Sequence, residues 1–137
     1  MSFLKNKSDF NFSSAAMLIE ADFYAPSVHC SYYAVFQLMK HQYVKLKQIS
    51  YESLNEHIIR DKRNSHRYIL EEFCLSLRSH SSSGYSIYDV RKLERDIKDL
   101  KQFRVDSDYE NIDIDYIKSS QAYRLSESII KRIQRIK

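Results

Sequence analysis

The residues best suited to chemistry lie in one basic run, Arg60-Asp61-Lys62-Arg63-Asn64-Ser65-His66-Arg67-Tyr68. Histidine has an ordinary pKa near neutrality, so His66 can move the proton of a ribose 2′-hydroxyl, or of a leaving oxygen, without a metal. Arginine stays charged throughout the physiological range. Arg60 can hold a phosphate with two parallel donors and offset the charge that develops on it. Asn64 adds a polar contact, and Arg60, Lys62, Arg63 and Arg67 form a compact set of cations able to follow an RNA backbone. The plainer alternative is a solvated basic face in which His66 merely opens a helix.

A second constellation is Arg104-Val105-Asp106-Ser107-Asp108-Tyr109. An Arg104–Asp108 ion pair at a spacing of four would secure a helix end, with Tyr109 folded back on the body. The functional alternative places Arg104 in a groove that holds a phosphate or a nucleotide. Tyr32 and Tyr33 fall on or beside an apolar stripe, which makes them core or interface aromatics rather than base-stacking platforms. His29, His41, His57 and His80 are scattered, and no role is assigned to them. Cys30 and Cys74 are the only cysteines, each in an apolar helical setting, and read as buried reduced thiols. There is no CxxC or HExxH spacing, so neither a metal nor a cofactor is expected.

These residues must be positioned by helices. The chain has one glycine, Gly84, and one proline, Pro26, too little turn chemistry for a β-sandwich or barrel. A first helix is expected from Ser13 or Ser14, with Met17, Leu18, Ala21 and Tyr24 at helical steps. Pro26 suits the first turn of a second helix, whose stripe is Val28, Tyr32, Val35, Phe36, Met39, Tyr43 and Leu46. The polar stretch from Lys47 to Ser65 holds a short apolar set, Leu54, Ile58 and Ile59. Ser65 is the expected cap of the next helix, which carries Ile69, Leu70, Phe73, Cys74 and Leu77 inward. Ser79-His80-Ser81-Ser82-Ser83-Gly84 reads as a loop. From Ser86 a charge-laced helix follows with Val90, Leu93, Ile97 and Leu100 as its stripe, and the acidic Arg104–Tyr109 stretch is expected to lie beyond its end. A last helix from about Asp115 carries Ala122, Leu125, Ile129, Ile133 and Ile136. Its closing Lys131, Arg132, Arg135 and Lys137 suit the negative end of the helix dipole. Together these imply an all-α, up-and-down four-helix bundle with an additional short helix, in one domain covering 1–137.

At 137 residues the chain is long enough for a core without disulfides. Its formal net charge of +4 and pI near 9.0 are compatible with an anionic partner without requiring one. The N-terminus has no apolar leader segment and no stretch reaches membrane-spanning length, so a cytoplasmic protein without a membrane partner is expected.

Ser31-Tyr32-Tyr33-Ala34-Val35-Phe36 resembles the second-helix signature of the HEPN domain family, where a Ser-Tyr-Tyr-Ala-x-Phe run is typical. Arg104-Val105-Asp106-Ser107-Asp108-Tyr109 resembles the Arg-x-x-Ala-Asp-Tyr stretch of one HEPN branch, with Ser107 in place of alanine. The two motifs, in this order, span most of the chain. The resemblance implies a helical bundle, commonly a homodimer, that binds RNA or a nucleotide and belongs to a toxin–antitoxin or defence system. Many such domains are metal-independent endoribonucleases, and others are non-catalytic modules for a nucleotidyltransferase partner. Arg60 and His66 match the family's arginine-to-histidine spacing and would be the catalytic pair. Arg63, Asn64, Arg67 and Arg104 would bind RNA or nucleotide. Tyr68 stands where some members carry a tyrosine modified by the partner enzyme. On a continuous helix Arg60 and His66 sit about 120° apart, so their convergence requires a bend near Asn64–Ser65 or a dimer interface.

Overall fold

The computed structural model describes residues 3–79 and 84–136. Most of the serine-rich loop, His80 included, lies outside the described residues. Six helices follow one another: α1 (Leu4–Glu20), α2 (Tyr24–Lys47), α3 (Tyr51–Arg60), α4 (Ser65–Ser79), α5 (Ile87–Tyr109) and α6 (Tyr116–Gln134). No strand occurs among the described residues, and the chain is an all-α helical bundle. The longest helix, α2, is its axis, and α1, α4, α5 and α6 all pack against it.

The helix starts are chemical. Ser50, Ser86 and Asp115 each accept a backbone N–H from three residues on. Asn64 does the same for the Arg67 N–H at 2.8 Å. Ser86 and Asp89 form a reciprocal capping box. Each such cap contributes roughly 1 kcal/mol. The helix ends show what a chain almost without glycine must do. Asp22 (φ 66°) and Gln48 (φ 53°) take the left-handed positions that close α1 and α2. Around them Phe23 N–H reaches the Leu18 carbonyl and Ile49 N–H reaches that of Val44, the paired bonds of a Schellman closure.

Three boundaries depart from the sequence expectation. Helix α1 begins at Leu4, not at Ser13 or Ser14, because its inward face is Leu4, Ser8 and Ala15, too polar and small to register as a hydrophobic stripe. The residue that caps α4 is Asn64, and Ser65 is already helical. Helix α5 runs through Arg104 to Tyr109, since its buried row of Val90, Leu93, Ile97 and Leu100 continues with Arg104. The row changes chemistry at Arg104 without changing period. With α1 extended there are five long helices and the short α3, rather than four and one.

The core is continuous from Val28, Tyr32, Val35 and Met39 of α2 through Leu54 to Phe73, Leu93, Leu100, Ile129 and Ile133. Serine hydroxyls fasten α2 on three sides. Ser8 of α1 donates to the Ala34 carbonyl at 2.6 Å, Ser107 of α5 to that of Ala25 at 2.9 Å, and Ser126 of α6 to that of Ser31 at 2.7 Å. Each uses the second lone pair of a carbonyl already engaged in the helix, so these three hydroxyls join helices while satisfying themselves. Burial pushes both thiols up, Cys74 to about 12, which keeps them protonated and unreactive. No helix among the described residues is long and apolar enough to cross a membrane.

Candidate phosphate-binding site

His66 is the second residue of α4 and is half-buried against α2. Its ring stacks on Phe36, with centroids 4.3 Å apart and planes 24° apart, and lies beside Tyr32 and Tyr33 at 5.6 and 5.8 Å. Its Nδ1 is 2.7 Å from the Tyr32 hydroxyl. Burial is the first reason its pKa falls to about 4, followed by the charges of Arg104, Lys101 and Lys40. The imidazole is therefore neutral near pH 7. Burial also pushes the Tyr32 phenol well above the ordinary tyrosine range, with Arg104 opposing, so the phenol keeps its proton. If His66 carries its proton on Nε2, Tyr32 donates to Nδ1 and Nε2–H is a donor for an oxyanion. In the other tautomer Nδ1–H donates to the phenol oxygen, and Nε2 is a base.

Arg104 enters from α5 and is 7% exposed. Its guanidinium carbon lies 5.2, 5.7 and 5.6 Å from the ring centres of Tyr32, Tyr33 and Tyr109, so the aromatic pair of α2 cradles the cation. Its neutralisation is incomplete. Arg104 Nη1 is 3.7 Å from Asp108 Oδ2, while the same oxygen is 2.9 Å from His29 Nδ1. Arg104 Nε is buried and makes no hydrogen bond. Lys101, one turn earlier on α5, is half-buried, and burial followed by Arg104 lowers its pKa. A cleft of about 440 Å³, lined by Ala25, Pro26, His29, Cys30, Ser107 and Asp108, opens beside the His29–Asp108 pair.

Helices α2, α4 and α5 thus bring together a neutral histidine, a buried arginine and a half-buried lysine, faced by one carboxylate that His29 already holds. Such a surplus of positive charge at a partly desolvated surface recess favours an anion. Arg104 is its buried member and acts through its charge, and His66 and Lys101 are its half-buried members.

The remaining residues singled out from the sequence are placed elsewhere. Arg60 ends α3 with a side chain 75% exposed, 3.9 Å from Glu56. It is not among the cations that act on His66, and the arginine beside that histidine is Arg104. Arg63 lays Nε and Nη2 on Asp61 at 2.9 and 2.8 Å and Nη1 on Glu71 at 2.7 Å. Arg67 Nε bonds the other oxygen of Glu71 at 2.7 Å. These pairs hold the Asp61 carboxyl well below its ordinary range and lower that of Glu71. Arg63 and Arg67 are thus neutralised by Asp61 and Glu71, and the cluster braces the α3–α4 corner. Asn64 spends its side-chain oxygen on the α4 cap. Tyr68 is buried at 6% exposure beneath the Arg63 guanidinium, as a core side chain rather than a surface one.

The site residues to which the sequence assigns no role are His29, Lys40 and Lys101, and Tyr32 and Tyr33 join the site as well as the core. The available signal was the spacing of four from Leu100 to Arg104 to Asp108, which continues the buried row. No protein-family model matches the chain, and neither a curated protein nor a solved structure matches it.

Proposed function

We propose that this chain is a HEPN-like module that binds RNA or a nucleotide through a phosphate held over Arg104 by His66 and Lys101. The observation that carries this reading is the buried Arg104 charge, cradled by Tyr32 and Tyr33 and left under-neutralised because Asp108 bonds His29. The two stretches that resemble HEPN motifs, 31–36 and 104–109, supply most of this one recess, which supports reading them together. The test is an NMR titration of the protein with inorganic phosphate and with adenosine 5′-monophosphate at low salt. The expected result is movement of the His66 and Tyr33 ring signals, with the His66 pKa rising from about 4 as the anion binds. Ring signals that stay still at millimolar ligand would rule the site out.

The hydrogen bond between Tyr32 and His66 favours a second reading, a metal-independent endoribonuclease. A neutral imidazole anchored through one nitrogen leaves the other to take the 2′-hydroxyl proton, with Arg104 compensating the charge on the phosphate. Total RNA incubated with the protein in EDTA is then cut, and the His66→Ala protein, still folded by circular dichroism, leaves it intact. Equal cutting by both proteins would end this reading.

A further inference from the structure

Most of the formal charge excess lies away from this recess. Between Arg124 and Arg135 the chain carries Arg124, Lys131, Arg132 and Arg135 against the single acid Glu127. That is three of the four net charges of the whole protein. The helix makes this an ordered surface, because Arg124, Ser128, Lys131 and Arg135 recur at steps of four, three and four and share one exposed face of α6. Lys92 of α5 approaches the same face, and together they line a groove of about 380 Å³.

Two carboxylates pair with its cations, Glu127 in its lining and Asp96 beside it. Asp96 Oδ2 is 2.7 Å from Arg132 Nη2 and 3.4 Å from Lys92 Nζ. Glu127 is 3.9 Å from Lys131, with both side chains well exposed. Five cations thus face two anions, and Arg124 and Arg135 have no carboxylate partner among the described residues. An anionic lipid surface is a poor fit. The groove is recessed between two helices, and none of the large exposed apolar side chains lies on α6 beyond Ile117, so nothing there inserts into a bilayer.

We propose that the α5–α6 groove is a second contact for the phosphate backbone of single-stranded RNA, so that the ligand is an oligonucleotide rather than a mononucleotide. This rests on the reading of the Arg104 recess given above. Lys92 and Arg104 are twelve residues apart on one helix, about 18 Å along its axis. A mononucleotide cannot touch both places, whereas a strand of several nucleotides can. The recess holds one phosphate, and the groove holds the chain that follows it.

The experiment compares a fluorescein-labelled 12-nucleotide RNA with adenosine 5′-monophosphate, using the wild-type protein, Arg124→Gln/Arg135→Gln and Arg104→Gln. Both groove residues are exposed, so the double variant keeps the fold, which melting checks. The 12-mer binds the wild type at least tenfold tighter than the mononucleotide. The double variant loses about tenfold for the 12-mer at low salt, and its log–log salt slope becomes shallower by roughly 1.4, or 0.7 for each lost contact. Its affinity for the mononucleotide is unchanged. Equal 12-mer binding by the wild type and the double variant overturns the groove while leaving the recess intact. A 12-mer indifferent to Arg104→Gln overturns the recess, and with it the bridged ligand. Binding to phosphatidylserine vesicles in place of RNA also overturns the proposal.

Discussion

In the Arg104→Gln variant, affinity for a phosphate-bearing ligand falls by about 100-fold while the helical bundle survives. The loss follows from where the charge sits. A guanidinium 7% exposed is shielded from water, and at an effective dielectric near 20 a unit charge about 5 Å away contributes roughly 3 kcal/mol. At about 1.4 kcal/mol per decade this is two orders of magnitude in affinity. The fold survives because a buried cation beside a carboxylate at 3.7 Å is a weak stabiliser. Glutamine keeps much of the stem, and Asp108 keeps its bond to His29. What the fold loses is the contact with three tyrosine rings, each worth about 0.5–1 kcal/mol. A second readout separates this from general damage. After burial, Arg104 is the largest cause of the low His66 pKa, so His66 titrates higher in the variant. Isothermal titration with the 12-mer and NMR titration of His66 measure the two effects. A loss below threefold, or an unmoved His66, would mean that Arg104 is a structural cation only.

The parts of this fold that could be read from the sequence are those in which apolar side chains carry the period. The α2 stripe, the α5 stripe to Leu100 and the α6 row emerge with their inward residues nearly intact. The hidden parts are those in which polar residues do the same work. Ser8 on α1 and Ser107 on α5 face inward because their hydroxyls are hydrogen-bonded there, and Arg104 because the tyrosine rings cradle its guanidinium. Hydrophobic periodicity is blind to such satisfaction. The site behaves likewise. His66 stands out by chemistry alone, but the arginine that the motif spacing pairs with it, Arg60, belongs to another helix and another partner. Arg104 comes to His66 only through the packing of α4 and α5 on α2, which no local spacing encodes. The neutralisation of Arg67 by Glu71 is a readable pair at a spacing of four. That of Arg63 by the same carboxylate depends on the corner between α3 and α4.

The same depressed histidine makes the fold acid-sensitive in a defined window. An unfolded chain protonates His66 near its ordinary 6.5, and the folded chain only near about 4. Between these values the unfolded state binds the extra proton, so stability falls as pH drops through the window and levels off below it. Above pH 6.5 both states are neutral and the contribution is complete. With some allowance for the half-exposed ring, the loss across the window is on the order of 2–3 kcal/mol. His41, also lowered by burial, acts with the same sign, and Glu71 and Asp61 act at the lower end. The useful quantity is therefore the difference between the wild type and His66→Gln, in which those terms cancel. Urea unfolding at pH 7.5 and pH 4.5 should show the wild type losing about 2 kcal/mol more than the variant, and parallel losses would refute a buried neutral His66. A bound anion of constant charge reverses the effect. An anion over Arg104 favours the imidazolium, so sulfate raises the melting temperature of the wild type more at pH 5 than at pH 7.5. In His66→Gln that extra gain at pH 5 is lost when the anion sits against the His66 ring, and a gain equal to that of the wild type would refute the contact.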